Sequence, residues 1–437
     1  MAKKANTANT APSRKPFSAA LTFIPALILV TLILGFVLRT VFLEDIEYKG
    51  DEAAMFAKTQ SVGHSEPWPM LGIVSGVGVS NPAFSIWSFV ALAKVFQITT
   101  PLGLTRAVQL LNCAALALLF FLGFRVVEQK EKKAWLWAAA LMSVNVFCVL
   151  FSRKIWAQDL LPIFTIPFYW AWLKRSKARG AFFWGMLGAF LGQIHMSGFF
   201  FSGAIFIWTA VFDRKTPHWL SWLGGSILGV LPLLPWLSYM LNEAPSQART
   251  GTNNPMDLVF YKNWFSDTFG LGTDYSLWNQ NADFLSGPVI HGETTYLVSY
   301  LQSILFYAGV AILIVGTFRF IVKLGKAKPG VFKSLQNLIS NPKNEGAFLI
   351  SATLIFMGIP LTFVDFPIYR HYLIITYPLS FLFLAKMVLS HFKKADAILA
   401  AILIAELAIS IGFLGYIHVN CGAPSGDYGK AYRCRPH

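Results

Sequence analysis

Eleven apolar stretches between Phe17 and Tyr416 limit what this chain can fold into. A helix needs roughly 20 mainly apolar residues to cross the hydrocarbon of a bilayer. The stretches lie at 17–42, 103–124, 134–151, 159–173, 180–194, 197–213, 218–241, 296–320, 346–365, 371–391 and 396–416. The fourth to the sixth are short or closely spaced. The expected fold is an all-α polytopic membrane protein, a bundle of about 11 transmembrane helices.

Composition supports this expectation. Of 437 residues, 55% are hydrophobic and only 13% charged. The 39 Phe and 14 Trp exceed the needs of a soluble core; they suit a protein with two water–membrane interfaces. The net charge of +15 raises the question of nucleic acid. The basic residues, however, fall in short loops between apolar runs, the pattern that orients membrane proteins. No nucleic-acid partner is expected.

With the N-terminus inside and each span alternating, the cytoplasmic segments hold 23 of the 36 Lys and Arg. The first run follows a basic tail (Lys3, Lys4, Arg14, Lys15) and exceeds the roughly 7–15 residues of a signal-peptide core, so it reads as a signal anchor. The piece 81–96 (NPAFSIWSFVALAKVF) is too short to cross comfortably and contains Lys94. It reads as a helix in the outer interface. The chain then divides into a cytoplasmic tail (1–16), a transmembrane module (17–241) with an outer loop at 43–102, a second outer loop (242–295), C-terminal transmembrane helices (296–416) and an outer tail (417–437). Cys421 and Cys434 lie in that tail, where an oxidising compartment would let them form a disulfide. Cys113 and Cys148 fall inside apolar runs and read as small core residues.

Charge at the mouth of a membrane bundle is costly and therefore informative. The acidic segment Glu44 to Glu52 follows the first span. Three other polar features reach the same side: Ser152 to Asp159, with Arg153 and Lys154; Gln193 to Ser197, with His195; and Tyr369-Arg370-His371-Tyr372. Asp51, Glu52 and Asp159 are candidate bases, and Asp51 and Glu52 are the candidate ligands of a divalent metal, should one be used. Arginines hold phosphate in a fork geometry. Each piece also has a plain structural reading. Acids stabilise a helix N-terminus, cations snorkel to an interface, Asp159 could pair with Arg153, His195 could be a polar packing residue, and Arg370 could flank its helix.

The order of these elements resembles the GT-C superfamily of membrane glycosyltransferases, in particular the branch of protein O-mannosyltransferases and bacterial aminoarabinose-type transferases. That branch has an Asp–Glu pair after its first transmembrane helix, as in Gly50-Asp51-Glu52-Ala53. A proline-led aromatic interfacial helix follows, matched by Asn81 to Trp87, although here Pro82 stands alone where two prolines are usual. Leu104-Thr105-Arg106, Ser152-Arg153 with Asp159, and Arg370-His371-Tyr372-Leu373 with Tyr377-Pro378 match further elements in order. The similarity is clearest over residues 17–210.

The resemblance implies a GT-C-like bundle that passes a sugar from a polyprenyl-phosphate donor to a lipid, glycan or protein acceptor at the outer face of the plasma membrane. It implies Asp51 as base, with Glu52 and Asp159 orienting. Arg153, Lys154, Arg370 and Arg106 would hold the donor phosphate, with His195 and His371 at sugar or phosphate. No Asp-x-Asp nucleotide-sugar motif stands on a cytoplasmic loop, which fits a lipid-linked donor. Two other readings use the same cations: a transporter or flippase of a lipid-linked or anionic substrate, and a surface-polysaccharide ligase or polymerase.

Overall fold

The computed structural model describes residues 20–75, 78–243, 258–326, 328, 330–364 and 367–435. The basic tail 1–16, the start of the first expected span, Arg249 with the GTNNPMD stretch, and the end of the ninth expected span lie outside the described residues.

The chain is built from helices. The N-terminal half runs α1 Ala20–Thr40, α2 Gly50–Ser61, α3 Phe84–Val95, α4 Pro101–Phe121, α5 Gln129–Val144, α6 Val146–Leu150, α7 Leu161–Leu173, α8 Ala178–Ile194, α9 Ser197–Phe212, α10 Trp219–Val230 and α11 Leu234–Asn242. The C-terminal half runs α12 Val259–Thr268, α13 Asp274–Leu277, α14 Asn281–Ser286, α15 Leu297–Gly325, α16 Val331–Ser340, α17 Glu345–Ala352, α18 Ile359–Thr362, α19 Leu379–His391 and α20 Ala395–Val419. Among the described residues, three small antiparallel hairpins, Leu71–Val74 with Ser80–Pro82, Val289–Ile290 with Glu293–Thr294, and Gly422–Ala423 with Gly429–Lys430, decorate one end.

Among the described residues, five helical segments are long and apolar enough to cross a membrane: Pro101–Val126, Trp219–Asn242, Leu297–Gly325, Glu345–Thr362 and Ala395–Val419. The protein is an integral, multi-pass membrane protein. Several expected spans are not single straight helices. The third breaks at Asn145, whose side chain accepts from the N–H groups of Phe147 and Cys148 and so starts α6. The seventh breaks where Pro232 and Pro235 remove backbone donors between α10 and α11. The tenth is a 3₁₀ turn, Arg370–Thr376, joined to α19 at 66°.

Close approach is obtained with small residues. A side chain at Gly185 would strike the Trp222 carbonyl, and one at Gly225 the Phe182 carbonyl, so α8 and α10 pack backbone to backbone. Two buried arginines exchange caps between helices. Arg39 of α1 donates to the carbonyls of Met142, Ser143 and Cys148, where α5 breaks into α6. Arg153, after α6, donates to the carbonyls of Leu38, Arg39 and Phe42, where α1 ends. Each satisfies carbonyls that a helix end leaves without partners.

Ion pairs mark two opposite ends of the bundle. At one end Lys386 meets Glu131 at 2.7 Å, Lys133 meets Asp396 at 2.7 Å and Arg175 meets Asp213 at 2.6 Å. At the other, Lys154 meets Glu47, Arg370 meets Asp267, and Asp45 holds Arg433 and His418. Each group joins segments that the alternating threading puts on one face. The C-terminal segment is fixed to the second end, with Cys421 and Cys434 joined in a disulfide.

Candidate active site

The acid pair opens α2, and the helix separates its two members. Glu52, at the third helical position, turns inward and accepts from the Lys49 N–H at 3.0 Å, closing a capping box. Asp51, one position earlier, stays exposed and borders a cavity of about 240 Å³. The pair therefore presents one carboxylate to a ligand rather than two converging ones. Among the described residues no three His, Cys, Asp or Glu side chains are grouped to hold a metal ion.

The cavity is closed by the segment after α6, the α8–α9 turn and the 3₁₀ turn before α19. Trp156 donates its indole N–H to Asp51 at 3.2 Å and sets the carboxylate's direction. Its ring lies 4.6 Å from that of His371, which neighbours His195 at 6.0 Å and Tyr372 at 4.6 Å. His371 Nδ1 and the Tyr275 hydroxyl are 3.2 Å apart.

The hydrogen bonds at His195 fix its tautomer. Nδ1 accepts from the Ser197 N–H at 3.3 Å and contacts the Ser197 hydroxyl at 2.8 Å. The proton of the neutral ring is thereby assigned to Nε2. Burial lowers the His195 pKa to about 4, so at neutral pH it is an uncharged donor. Asn81 and Gln158 also line this space, and their side-chain oxygens, Asn81 Oδ1 and Gln158 Oε1, are buried without a partner among the described residues. The Asn81 amide donates to the Ile73 carbonyl at 2.8 Å. An exposed carboxylate and a neutral N–H donor, beside two residues whose buried oxygens lack partners among the described residues, form a wall suited to a ligand with several hydroxyl groups.

Behind Asp51 lies a layer of buried charge. Lys154 pairs with Glu47, which also meets Lys49 at 2.8 Å. Burial opposes the Lys154 charge, but the Glu47 and Glu52 carboxylates outweigh it and hold its pKa above the usual lysine value. The Lys154 ammonium sits 5.0 Å from the Trp156 ring centroid. Burial, then the charge of Glu47, raises Glu52 to about 7. Asp159 belongs to this layer: its Oδ2 accepts from the Lys154 backbone N–H at 3.0 Å, and it is fully buried.

Several expected roles need correction. Asp159 does not pair with Arg153; the chain turns sharply enough for its carboxylate to cap the Lys154 amide instead. Arg153 donates its guanidinium to three backbone carbonyls and does not line the cavity. Arg370 is held by Asp267 and by Ser266 Oγ at 3.0 Å, and fixes α12 rather than the cavity. Arg106 stands exposed on α4 without a hydrogen bond or ion pair among the described residues, and does not line the cavity. Asp51, His195 and His371 are the expected residues that meet there. Trp156, Asn81 and Gln158 join them in the lining and Glu47 lies behind it; all four come from the polar and motif segments, where nothing in the sequence separates them from their neighbours.

No protein-family model matches the chain, and no curated protein matches it. Among solved structures, the chain is similar to the apo oligosaccharyltransferase of Archaeoglobus fulgidus, at 12% identity and a TM-score of 0.47 over 95% of this chain and 57% of that one. It is similar to AglB of the same organism, solved with an inhibitory peptide and a dolichol-phosphate, at 12% identity and a TM-score of 0.46 over 90% of this chain and 56% of that one. It is also similar to apo ArnT from Cupriavidus metallidurans, at 13% identity and a TM-score of 0.42 over 90% of this chain and 78% of that one. The chain spans little more than half the length of the two archaeal structures, and at these scores the likeness is one of general chain course.

Proposed function

We propose that this protein is a GT-C-type glycosyltransferase that moves a sugar from a polyprenyl-phosphate donor to an acceptor at the outer face of the membrane. The observation that carries the reading is the cavity at Asp51: a directed, exposed carboxylate shares it with a neutral donor, His195, and with Asn81 and Gln158, whose buried oxygens lack partners among the described residues. Sugar hydroxyls supply the donors that the orphan acceptors lack. The ordered motifs from Gly50 to Pro378 support the same class. The Lys and Arg split supports placing this end of the bundle outside, with the N-terminus in the cytoplasm.

In the reaction, the acceptor's hydroxyl or amine attacks the sugar C1 while the C1–O bond to phosphate breaks and phosphate leaves with the electron pair. Asp51 takes the acceptor's proton, so its carboxylate lies on the acceptor side and the phosphate on the far side of C1. The displacement inverts the anomeric centre. Trp156 holds Asp51 in line, and the Nε2–H of His195 donates to the sugar or its phosphate. An apolar cleft of about 250 Å³ between α12, α15 and α19, lined by Trp264, Phe269, Phe383 and Met387, offers a course for the polyprenyl tail.

The test is direct. Purified protein is incubated with radiolabelled polyprenyl-phosphate sugars and extracted lipid, glycan or protein. Label appears in one acceptor class with wild type and not with boiled enzyme. Binding of donors without any release of label, across hexose and pentose donors, would remove the transferase reading in favour of a carrier.

A further inference from the structure

The opposite end of the bundle carries a second polar cavity, of about 620 Å³, where the ends of α15 and α19 meet the start of α20. Its lining is cationic: Arg319, Lys393 and Lys394, with His391, Ser390, Phe392 and Ile398. Among the described residues no carboxylate lines it. Two acids on neighbouring segments are already committed. Asp396, in the first turn of α20, accepts from Lys133 at 2.7 Å and from the Trp137 indole at 3.0 Å. Glu131 is bonded to Lys386 at 2.7 Å.

The cations are placed but not neutralised. Arg319 donates to the His391 carbonyl and lies 5.4 Å from the Phe392 ring centroid, which fixes its guanidinium at the mouth. Only one of its donors is used there. Lys393 and Lys394 are exposed, and neither has an ion pair or side-chain hydrogen bond among the described residues. Just toward the membrane interior, α15 leaves Ile314 and Phe318 exposed, by 64% and 67%. At about 100° per residue, Phe318 and Ile314 lie on the face of α15 next to that of Arg319, so an exposed apolar strip runs beside the cationic cavity on its membrane side.

We infer that this cavity binds the phosphate of an anionic phospholipid, with Arg319, Lys393 and Lys394 around the headgroup and the acyl chains along the exposed face of α15. Guanidinium and ammonium groups suit phosphate oxygens, and basic pockets between helices at a membrane surface recognise anionic headgroups. Free phosphate shares the headgroup's chemistry but not the need for the apolar strip. The site is independent of the transfer reaction, since it lies at the other end of the bundle.

The test uses the full chain purified in an uncharged detergent. Phosphatidylglycerol, phosphatidylcholine or inorganic phosphate is added, and lipid adducts are read by native mass spectrometry beside the melting midpoint. Wild type is expected to prefer phosphatidylglycerol at least about tenfold over phosphatidylcholine, with the preference shrinking as salt rises. The double change Lys393→Gln and Lys394→Gln, at two exposed residues, should cut that preference at least about fivefold; Arg319→Gln should add to the loss. Lys174→Gln with Arg179→Gln, an equal charge loss elsewhere at the same end, should leave it intact. Should Arg319→Gln fail to fold, the double lysine change decides alone. An unchanged preference in the double variant overturns the site. Equal stabilisation by inorganic phosphate overturns the lipid assignment.

Discussion

Lys154 is buried against the Glu47 carboxylate one layer behind Asp51, and the two side chains are only 3% and 2% exposed. A buried ion pair adds little net stability, but removing one partner strands the other. Glu47→Gln should therefore cost about 3–5 kcal/mol, read as a large drop in melting midpoint. Adding Lys154→Met should recover most of that loss. If the double change is no more stable than Glu47→Gln alone, the pair is not the source of the penalty.

Arg153 and Arg39 cap each other's helices, so Arg153 should report on folding rather than on donor binding. Lysine keeps the charge but cannot reach three carbonyls from one planar fork. Arg153→Lys is expected to lose on the order of 1–3 kcal/mol of stability. The folded fraction should keep the wild-type KM for the donor. A raised KM in a variant that melts like wild type would return Arg153 to the phosphate.

Two groups near the cavity pull stability in opposite directions with pH. Burial and Glu47 raise the folded pKa of Glu52 from 4.5 to about 7, so its contribution is full below pH 4.5 and is lost as pH rises through about 7. Burial lowers His195 from 6.5 to about 4, so its contribution is full above 6.5 and is lost as pH falls through about 4. The two slopes oppose each other between pH 4.5 and 6.5. Relative to wild type, Glu52→Gln should gain in melting midpoint as pH rises from 5 to 8. His195→Gln should gain as pH falls from 6.5 to 4. Midpoints measured across this range in both variants check the signs separately, and parallel curves would show that neither group titrates as stated.

The apolar runs were legible because length and composition alone decide whether a helix can cross a membrane. The meeting of Asp51, His195 and His371 followed from putting loops on alternate faces. What could not be read was the partner of each charge. Arg153 looks the same in sequence whether it faces phosphate or the carbonyls of Leu38 and Phe42, because a helix end offers acceptors without any side-chain signature. Arg39 lies inside an apolar run, and its task appears only once α5 is seen to break at Asn145. Glu47 was one acid in a segment of five; its burial depends on Lys154, more than a hundred residues away. The split of Asp51 from Glu52 is local, and the capping box would have revealed it had α2 been expected to begin at Gly50.

Gln158 tests whether the orphan acceptors serve a ligand. Gln158 lines the cavity and its Oε1 is buried without a partner among the described residues, and such a group normally costs stability. Gln158→Met keeps the length and removes the cost. It should raise the melting midpoint while weakening the sugar donor about 5–30-fold, the worth of roughly 1–2 kcal/mol. A change that raises stability and leaves donor affinity intact would mean that the oxygen serves no ligand.

Asp51→Asn keeps size and shape but cannot accept a proton, and Asn can still receive the Trp156 indole N–H. If Asp51 is the base, kcat should fall by roughly 10²–10⁴. Donor affinity and melting midpoint should stay near wild type, since Asp51 is exposed and bears no buried ion pair. Trp156→Phe keeps the ring against His371 but removes the donor that aims the carboxylate. It should lower kcat by a smaller factor, about tenfold, because misdirection weakens a base without abolishing it. In the Asp51→Asn background the Trp156 change should do almost nothing further, for the two act as one unit. The informative readout is therefore the pair of kcat and donor Kd in wild type, both single variants and the double variant. Independent, multiplicative losses would mean that Trp156 shapes the cavity without orienting Asp51. Transfer by Asp51→Asn at close to the wild-type rate would rule out Asp51 as the base.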